Sequence, residues 1–127
     1  MNRIVSPSTI APPAANYAHA VLSDAPTRLL HTAGAVPVTP DGSVPEELSA
    51  QAEAVWVNLA AILAEAGMGP ADVVAVTTYV VAGEPLGPVM SARDAFLGEH
   101  RAASTLVTVP ALARPEWRLE IALVAAR

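Results

Sequence analysis

Apolar residues fall on every second position of Trp117-Arg-Leu-Glu-Ile-Ala-Leu-Val-Ala125, so that Trp117, Leu119, Ile121, Leu123 and Ala125 share one face. A period of two predicts a strand with one fully buried face. The alternate positions read Arg118, Glu120, Ala122 and Val124, which leaves Glu120 mid-strand among mostly apolar neighbours. A carboxylate there is costly unless it is paired, protonated or hydrated. Two readings stay open. Glu120 is either a solvated or ion-paired strand residue, with Arg118 or another arginine as partner, or a carboxylate that lines a cavity and serves acid/base chemistry.

Working back along the chain, Asp72 to Val81 is β-branched on both faces and predicts a central strand covered on both sides. Leu48, Ala52, Val55, Leu59, Ile62, Leu63 and Ala66 recur at spacings of three and four, the stripe of an amphipathic helix. Ser43 precedes that helix, Pro45 falls in its first turn, Glu46 and Glu47 complement its dipole, and Gly67 suits the residue just past its end. A second helix is expected from about Pro85 to Glu99, and a strand over Ser104–Val109. At the start, Arg3-Ile4-Val5 predicts a short edge strand, and Ala11-Pro-Pro-Ala-Ala15 an extended loop. Asn16–Leu22 reads as a strand with Tyr17 and His19 on one face; Asp24-Ala-Pro26 turns it into a hairpin with Arg28–Thr32. Gly34 then marks a bulge or a close approach to the backbone. The order β-β-β-α-β-α-β-β predicts one α+β domain over residues 1–127.

Composition adds two constraints. With 53% hydrophobic and only 15% charged residues, the polar surface is scant, which predicts that copies of the chain cover one another. A net charge of -5 without a basic stripe argues against a nucleic-acid partner. No cysteine is present, so disulfides, thiol nucleophiles and thiolate metal sites are excluded. No apolar run has the length of a membrane span and no signal-peptide pattern opens the chain, so a soluble cytoplasmic protein is expected. The twelve prolines fall between periodic segments and punctuate a fold.

Phosphate-binding, dinucleotide, zinc-protease and serine-hydrolase motifs are all missing. His19, His31 and His100 lack metal-ligand spacing, so no metal is expected. His100 reads as a surface residue favoured at a helix end, and His31 as a core or interface histidine. Ser104 and Thr105 have no evident base. Trp56 and Met90 read as packing residues, Trp117 as packing or pocket lining. From the residues alone, one carboxylate stands out and no function is named.

Ala11-Pro-Pro-Ala-Ala-Asn-Tyr17-Ala-His-Ala and Thr32-Ala-Gly34-Ala-Val-Pro37 resemble the opening motif and the "SGQIP" turn of the Rid (YjgF/YER057c/UK114) family. Gln51-Ala, Asn58-Leu59 and Ala64-Glu-Ala-Gly67 resemble its first helix. Asp72–Val80 is similar to "DVVKTTVFL", Ala102-Ala-Ser104-Thr-Leu-Val to "ARSxVEV", and Leu119-Glu120-Ile121 to "IEIEA". The resemblance implies a chorismate-mutase-like α+β domain: a six-stranded, mostly antiparallel sheet with two helices on one face. It also implies a trimeric barrel with clefts between subunits. The activity it implies is cofactor- and metal-free hydrolysis of imines or enamines to a 2-oxo acid and ammonia. An arginine clamps the substrate carboxylate, a glutamate handles the water and a tyrosine orients the substrate.

By position, Glu120 matches that glutamate and Tyr17 that tyrosine. Around them the implied substrate-binding positions are Ala33, Gly34, Ala35, Met90, Ala103, Thr105, Trp117 and Arg114. Several depart from the family pattern. Ala103 stands at the arginine, Ala33 and Ala35 flank the turn glycine in place of Ser and Gln, Met90 stands at an asparagine and Thr105 at a cysteine. The loop Ala111–Trp117 is longer than the pattern, and Arg114 or Arg118 in or beside it could replace the clamp. Loss of a charged partner costs on the order of a hundredfold in affinity. The expectation is therefore a small-molecule site for a less polar imine, enamine or related intermediate, with Glu120 as acid/base. The alternative is a non-catalytic trimer that binds a small ligand or assists a biosynthetic pathway.

Overall fold

The computed structural model describes residues 1–127. Its elements are β1 (Asn2–Val5), β2 (Ala20–Ser23), β3 (Leu29–His31), α1 (Leu48–Glu65), a 3-10 turn at Pro70–Asp72, β4 (Val73–Val81), α2 (Gly87–Leu97), β5 (Ala103–Val109) and β6 (Leu119–Ala126). The order is the one expected. β3, β6, β4 and β5 form a sheet in that spatial order, antiparallel except for the parallel β4–β5 pair. No helix is long and apolar enough to cross a membrane.

The strand pairing differs from expectation at the N-terminal end. The six strands do not make one continuous sheet: β1 and β2 form a separate ribbon. That ribbon adjoins β5 through a single parallel bridge, Ala18 to Ala103. Nor do β2 and β3 form a hairpin. Pro26 has no N–H for a ladder, and Thr27 and Arg28 both donate their N–H groups to the carbonyl of Arg127. The chain leaving β2 is thereby captured by the C-terminal strand, and β3 pairs with β6.

The odd positions of β6 face the helices. Leu119, Ile121, Leu123 and Ala125 join Val73, Val76 and Val80 of β4, Val55, Leu59 and Leu63 of α1, and Val89 and Leu97 of α2 in one apolar core. Trp56 stacks on Phe96 between the helices, with ring centroids 4.8 Å apart. α1 ends as the pattern predicts. Gly67 has φ +69, its N–H donates to Ala64 O, and the Met68 N–H donates to Leu63 O, the pair of bonds that closes a Schellman cap.

Its start lies later than expected, at Leu48, because Ser43 is committed to a preceding turn. There the Asp41 carboxylate accepts from the hydroxyls of Thr39 and Ser43 and from the Ser43 N–H. His100 is also not a free surface residue: its Nε2 lies 2.7 Å from Val73 O, at the start of the central strand.

Replacing Leu59 by Ala is expected to lower stability by about 2–5 kcal/mol, because it empties the middle of a closed core. An unfolding free energy from urea titration that falls by less than about 0.5 kcal/mol would contradict that placement. Hydrogen bonds, first from the Thr39 hydroxyl and then from Ser43, hold the Asp41 carboxyl at about 2, below its ordinary 3.8. A folded value below the unfolded one stabilises above the unfolded value, and the stabilisation is lost as pH falls through about 2. The stability difference between wild type and Asp41→Asn should therefore be flat from about pH 5 to 7 and disappear in strong acid. A difference that grows on acidification would contradict the sign.

Candidate active site

Glu120 lies on the sheet face turned away from the helices, with Ala122 and Val124 beyond it on β6. Its cross-strand partner on β4 is Tyr79, and beyond Tyr79 on β5 stands Val107. On the β3 side the chain is bulged. Thr32 N–H donates to Leu123 O, and Ala35 and Ile121 exchange both backbone bonds. Ala33 and Gly34 therefore lie opposite the single residue Ala122. The Leu123 N–H that the bulge strands is taken up by the Thr32 hydroxyl, at 2.9 Å.

Gly34 is the contact point. A Cβ built on it would lie 1.9 Å from Glu120 Oε2 and 2.6 Å from the carboxyl carbon. The carboxylate thus occupies the space of a side chain, and both readings of Gly34, bulge and close approach, hold together.

Two amides on α1 fix the segments that carry this contact. Gln51, 1% exposed, donates from Nε2 to Pro45 O and Glu116 O and accepts from the Arg118 N–H, which anchors the entry to β6. Two turns further on, Asn58 donates from Nδ2 to Val36 O and Val38 O, just past Gly34.

No cation accompanies the carboxylate within the chain. The seven basic residues are all arginines, and each is engaged elsewhere. Arg118 sits 3.6 Å from Glu84, and Arg114 lies 5.8 Å over the Trp117 ring. Arg3, Arg93 and Arg127 pair with Asp24, Asp94 and Asp72. Arg28 and Arg101 donate to backbone carbonyls. Neither Arg118 nor Arg114 replaces the missing clamp in this arrangement.

Of the residues singled out in the sequence, one chain brings Glu120, Gly34 and Ala35 together, with Ala33 in the same bulge. Tyr17 belongs to a second group. It precedes Ala18, the residue bridged to Ala103, and packs edge-on against His19 with ring centroids 5.9 Å apart. Asn16 beside it donates to Asp94, which also holds the buried Arg93. Ala103 is four residues along β5 from Val107, so the Tyr17 group lies about 13 Å along the strands from Glu120. Thr105 is exposed between the two levels, opposite Thr77. Met90 sits on α2, in the layer on the other side of the sheet. Trp117 and Arg114 stack on each other ahead of β6, and the Trp117 Nε1 is buried without an acceptor.

Tyr79 and Val107 were not singled out from sequence, because only the register places them beside Glu120. A groove of about 530 Å³ between α1 and α2, floored by Trp56 and Phe96, contains none of these residues.

Because the clash involves only atoms beyond the Glu120 Cβ, Gly34→Ala is expected to cost about 1–3 kcal/mol in the wild-type background. In a Glu120→Ala background it should cost measurably less. Strictly additive losses in the double variant would contradict the contact.

Residues 8–127 match the family model described as endoribonuclease L-PSP. The chain is 35% identical over 100 residues to a 2-iminobutanoate/2-iminopropanoate deaminase of Salmonella typhimurium, covering 76% of this chain and 77% of the relative. Among solved structures, a Rid-family protein of Yersinia pestis described as of unknown function, YyfB, superposes with a TM-score of 0.87 at 34% identity, over 99% of this chain and 98% of that one. Yeast Mmf1 superposes with a TM-score of 0.73 at 26% identity, over 99% and 98%. The chain belongs to the Rid family, the family of the L-PSP model, and carries its α+β fold.

Proposed function

We propose that this protein hydrolyses a small imine or enamine, with Glu120 activating the attacking water, in a cleft completed by a second copy of the chain. The observation that carries the reading is the carboxylate held over Gly34 on an apolar sheet face, free of any ion pair. In the reaction, water adds to the imine carbon as Glu120 accepts one of its protons, and the C=N electron pair passes to nitrogen. The proton follows to nitrogen, giving a carbinolamine. Its hydroxyl proton then passes by way of Glu120 to the nitrogen as the C–N bond breaks, leaving a carbonyl and ammonia. The step is redox-neutral and consumes one water.

The separation of Glu120 from the Tyr17–Ala103 group supports an inter-subunit cleft. One chain carries the two halves of the implied site about 13 Å apart, so another copy would supply the missing half to each. Exposed Leu29 and Val107 on the same sheet face favour such a covering. A homotrimer in which three chains close their sheets around one axis satisfies both. The curated relative above is named for acting on 2-imino acids. Here Ala103 at the arginine position, with every arginine engaged elsewhere, shifts the preference toward imines that lack a carboxylate. The same loss of polar groups at Ala33, Ala35 and Ala103 favours, as a second reading, a ligand-binding trimer without turnover.

Ammonia release separates the two. An uncharged imine, released in situ from an alkylamine by a flavin amine oxidase, should be hydrolysed faster with the protein present, and 2-iminopropanoate less so. Glu120→Gln should lower the acceleration by about 10²- to 10⁴-fold. Equal rates for wild type and Glu120→Gln would sink the mechanism, and no acceleration of either substrate would leave the binding reading.

A further inference from the structure

Tyr79 and Glu120 are directly opposed in the β4–β6 ladder. Opposed residues project to the same face with Cβ atoms about 4.5–5.5 Å apart. β4 is an inner strand, so Tyr79 has Glu120 on one side and the apolar Val107 on the other. Thr78 and Val80, its neighbours in sequence, are buried toward the helices. Both Tyr79 and Glu120 are half-buried. Among the side-chain hydrogen bonds and ion pairs of the chain, none engages the Tyr79 hydroxyl or the Glu120 carboxylate. Two polar groups on one sheet face are thus left without protein partners, and neither is shut away from solvent, so both are open to a ligand.

We propose that Tyr79 is the second polar group of the site, a substrate-binding phenol that donates a hydrogen bond to the ligand while Glu120 accepts one. This rests on the reading of Glu120 as the reacting carboxylate. A phenol presents a donor and an ionised carboxylate only acceptors. With the carboxylate over Gly34 on one side of β6 and Tyr79 on the other, the two would flank an uncharged ligand that offers one acceptor and one donor. An imine with a free N–H has both on one nitrogen, a lone pair and a hydrogen. A carboxylate ligand has acceptors only and would face Glu120 with like charge. As water bonds to the imine carbon and the electron pair moves to nitrogen, the Tyr79 hydroxyl is placed to stabilise that charge. The proton collected by Glu120 then reaches nitrogen. The pair thereby sets the substrate class as a neutral, N-unsubstituted imine.

Propionamide carries the same acceptor–donor pair, does not react, and serves as the probe. Wild-type protein and Tyr79→Phe, which removes only the hydroxyl, would be titrated with it by NMR. The hydrolysis of the uncharged imine would be measured on the same samples alongside Glu120→Gln. Tyr79→Phe should weaken propionamide by about 5- to 10-fold, the size of one hydrogen bond. It should also lower kcat/KM for the imine at least as much, with the melting temperature unchanged. Hydrolysis lost in Glu120→Gln but unaltered in Tyr79→Phe, with unaltered propionamide affinity, overturns the role of Tyr79 and leaves the hydrolase reading standing. Propionamide binding weakened by Tyr79→Phe, with no hydrolysis by wild type, supports the pair and overturns the hydrolase reading. Wild-type protein that binds no propionamide overturns the pair.

Discussion

The site depends on a single steric fact: the Glu120 carboxylate occupies the volume that any side chain at residue 34 would need. Glycine leaves that space open without adopting a left-handed φ, and a larger residue would force the carboxylate to move. The surrounding structure serves to hold the two strands at that distance. The bulge between Thr32 and Ala35 swings Gly34 over β6, and the Thr32 hydroxyl satisfies the N–H it leaves behind. Gln51 and Asn58, two turns apart on one helix face, hold the segments on either side with four hydrogen bonds from their amide nitrogens. A buried amide so fully used is costly to replace, since each orphaned partner would lose its bond away from water. Helix α1 therefore acts on the site from the far side of the sheet, without touching it.

The two faces of the sheet have different tasks. One is closed by α1 and α2 into a continuous core. The other carries Glu120, Tyr79, Thr77 and Val107 in the open. An apolar face of this kind is ordinarily covered, and a copy of the same chain is the cover that would also unite Tyr17 and Ala103 with Glu120. The arginines explain the expected chemistry by where they are. Each has a partner of its own, and none is paired with the Glu120 carboxylate. An anionic substrate would gain little there and lose hydration.

Much of this was readable in the chain. Periodicity located α1 and β6, each long with a strong 3.6- or two-residue pattern, and an unbroken β-branched run located β4. Glu120 stood out because a charged residue broke an apolar strand, and Gly34 because glycine interrupts a strand only for a reason. The family resemblance then linked the two. What failed were features decided by long-range pairing. The β2–β3 hairpin seemed natural from Asp24-Ala-Pro26, yet Arg127, a hundred residues away, takes the N–H groups of Thr27 and Arg28. Ser43 directly precedes the predicted start of α1, yet its side chain is held by Asp41 in a turn of its own. Tyr79 stands in a run that is β-branched on both faces and so predicts a strand covered on both sides, whereas the structure leaves the Tyr79 face half-buried. Only the register with β6 singles it out.

The most direct test of the account is complementation between two damaged chains. Tyr17→Ala and Glu120→Gln would each be made, shown to be inactive alone toward the uncharged imine, then unfolded and refolded together. If each cleft draws Tyr17 and Glu120 from different subunits, random mixing restores about a quarter of the sites, and ammonia release returns to about that fraction of the wild-type rate. A mixture as inactive as its components, with assembly intact, would contradict a shared site and place the two residues in separate roles.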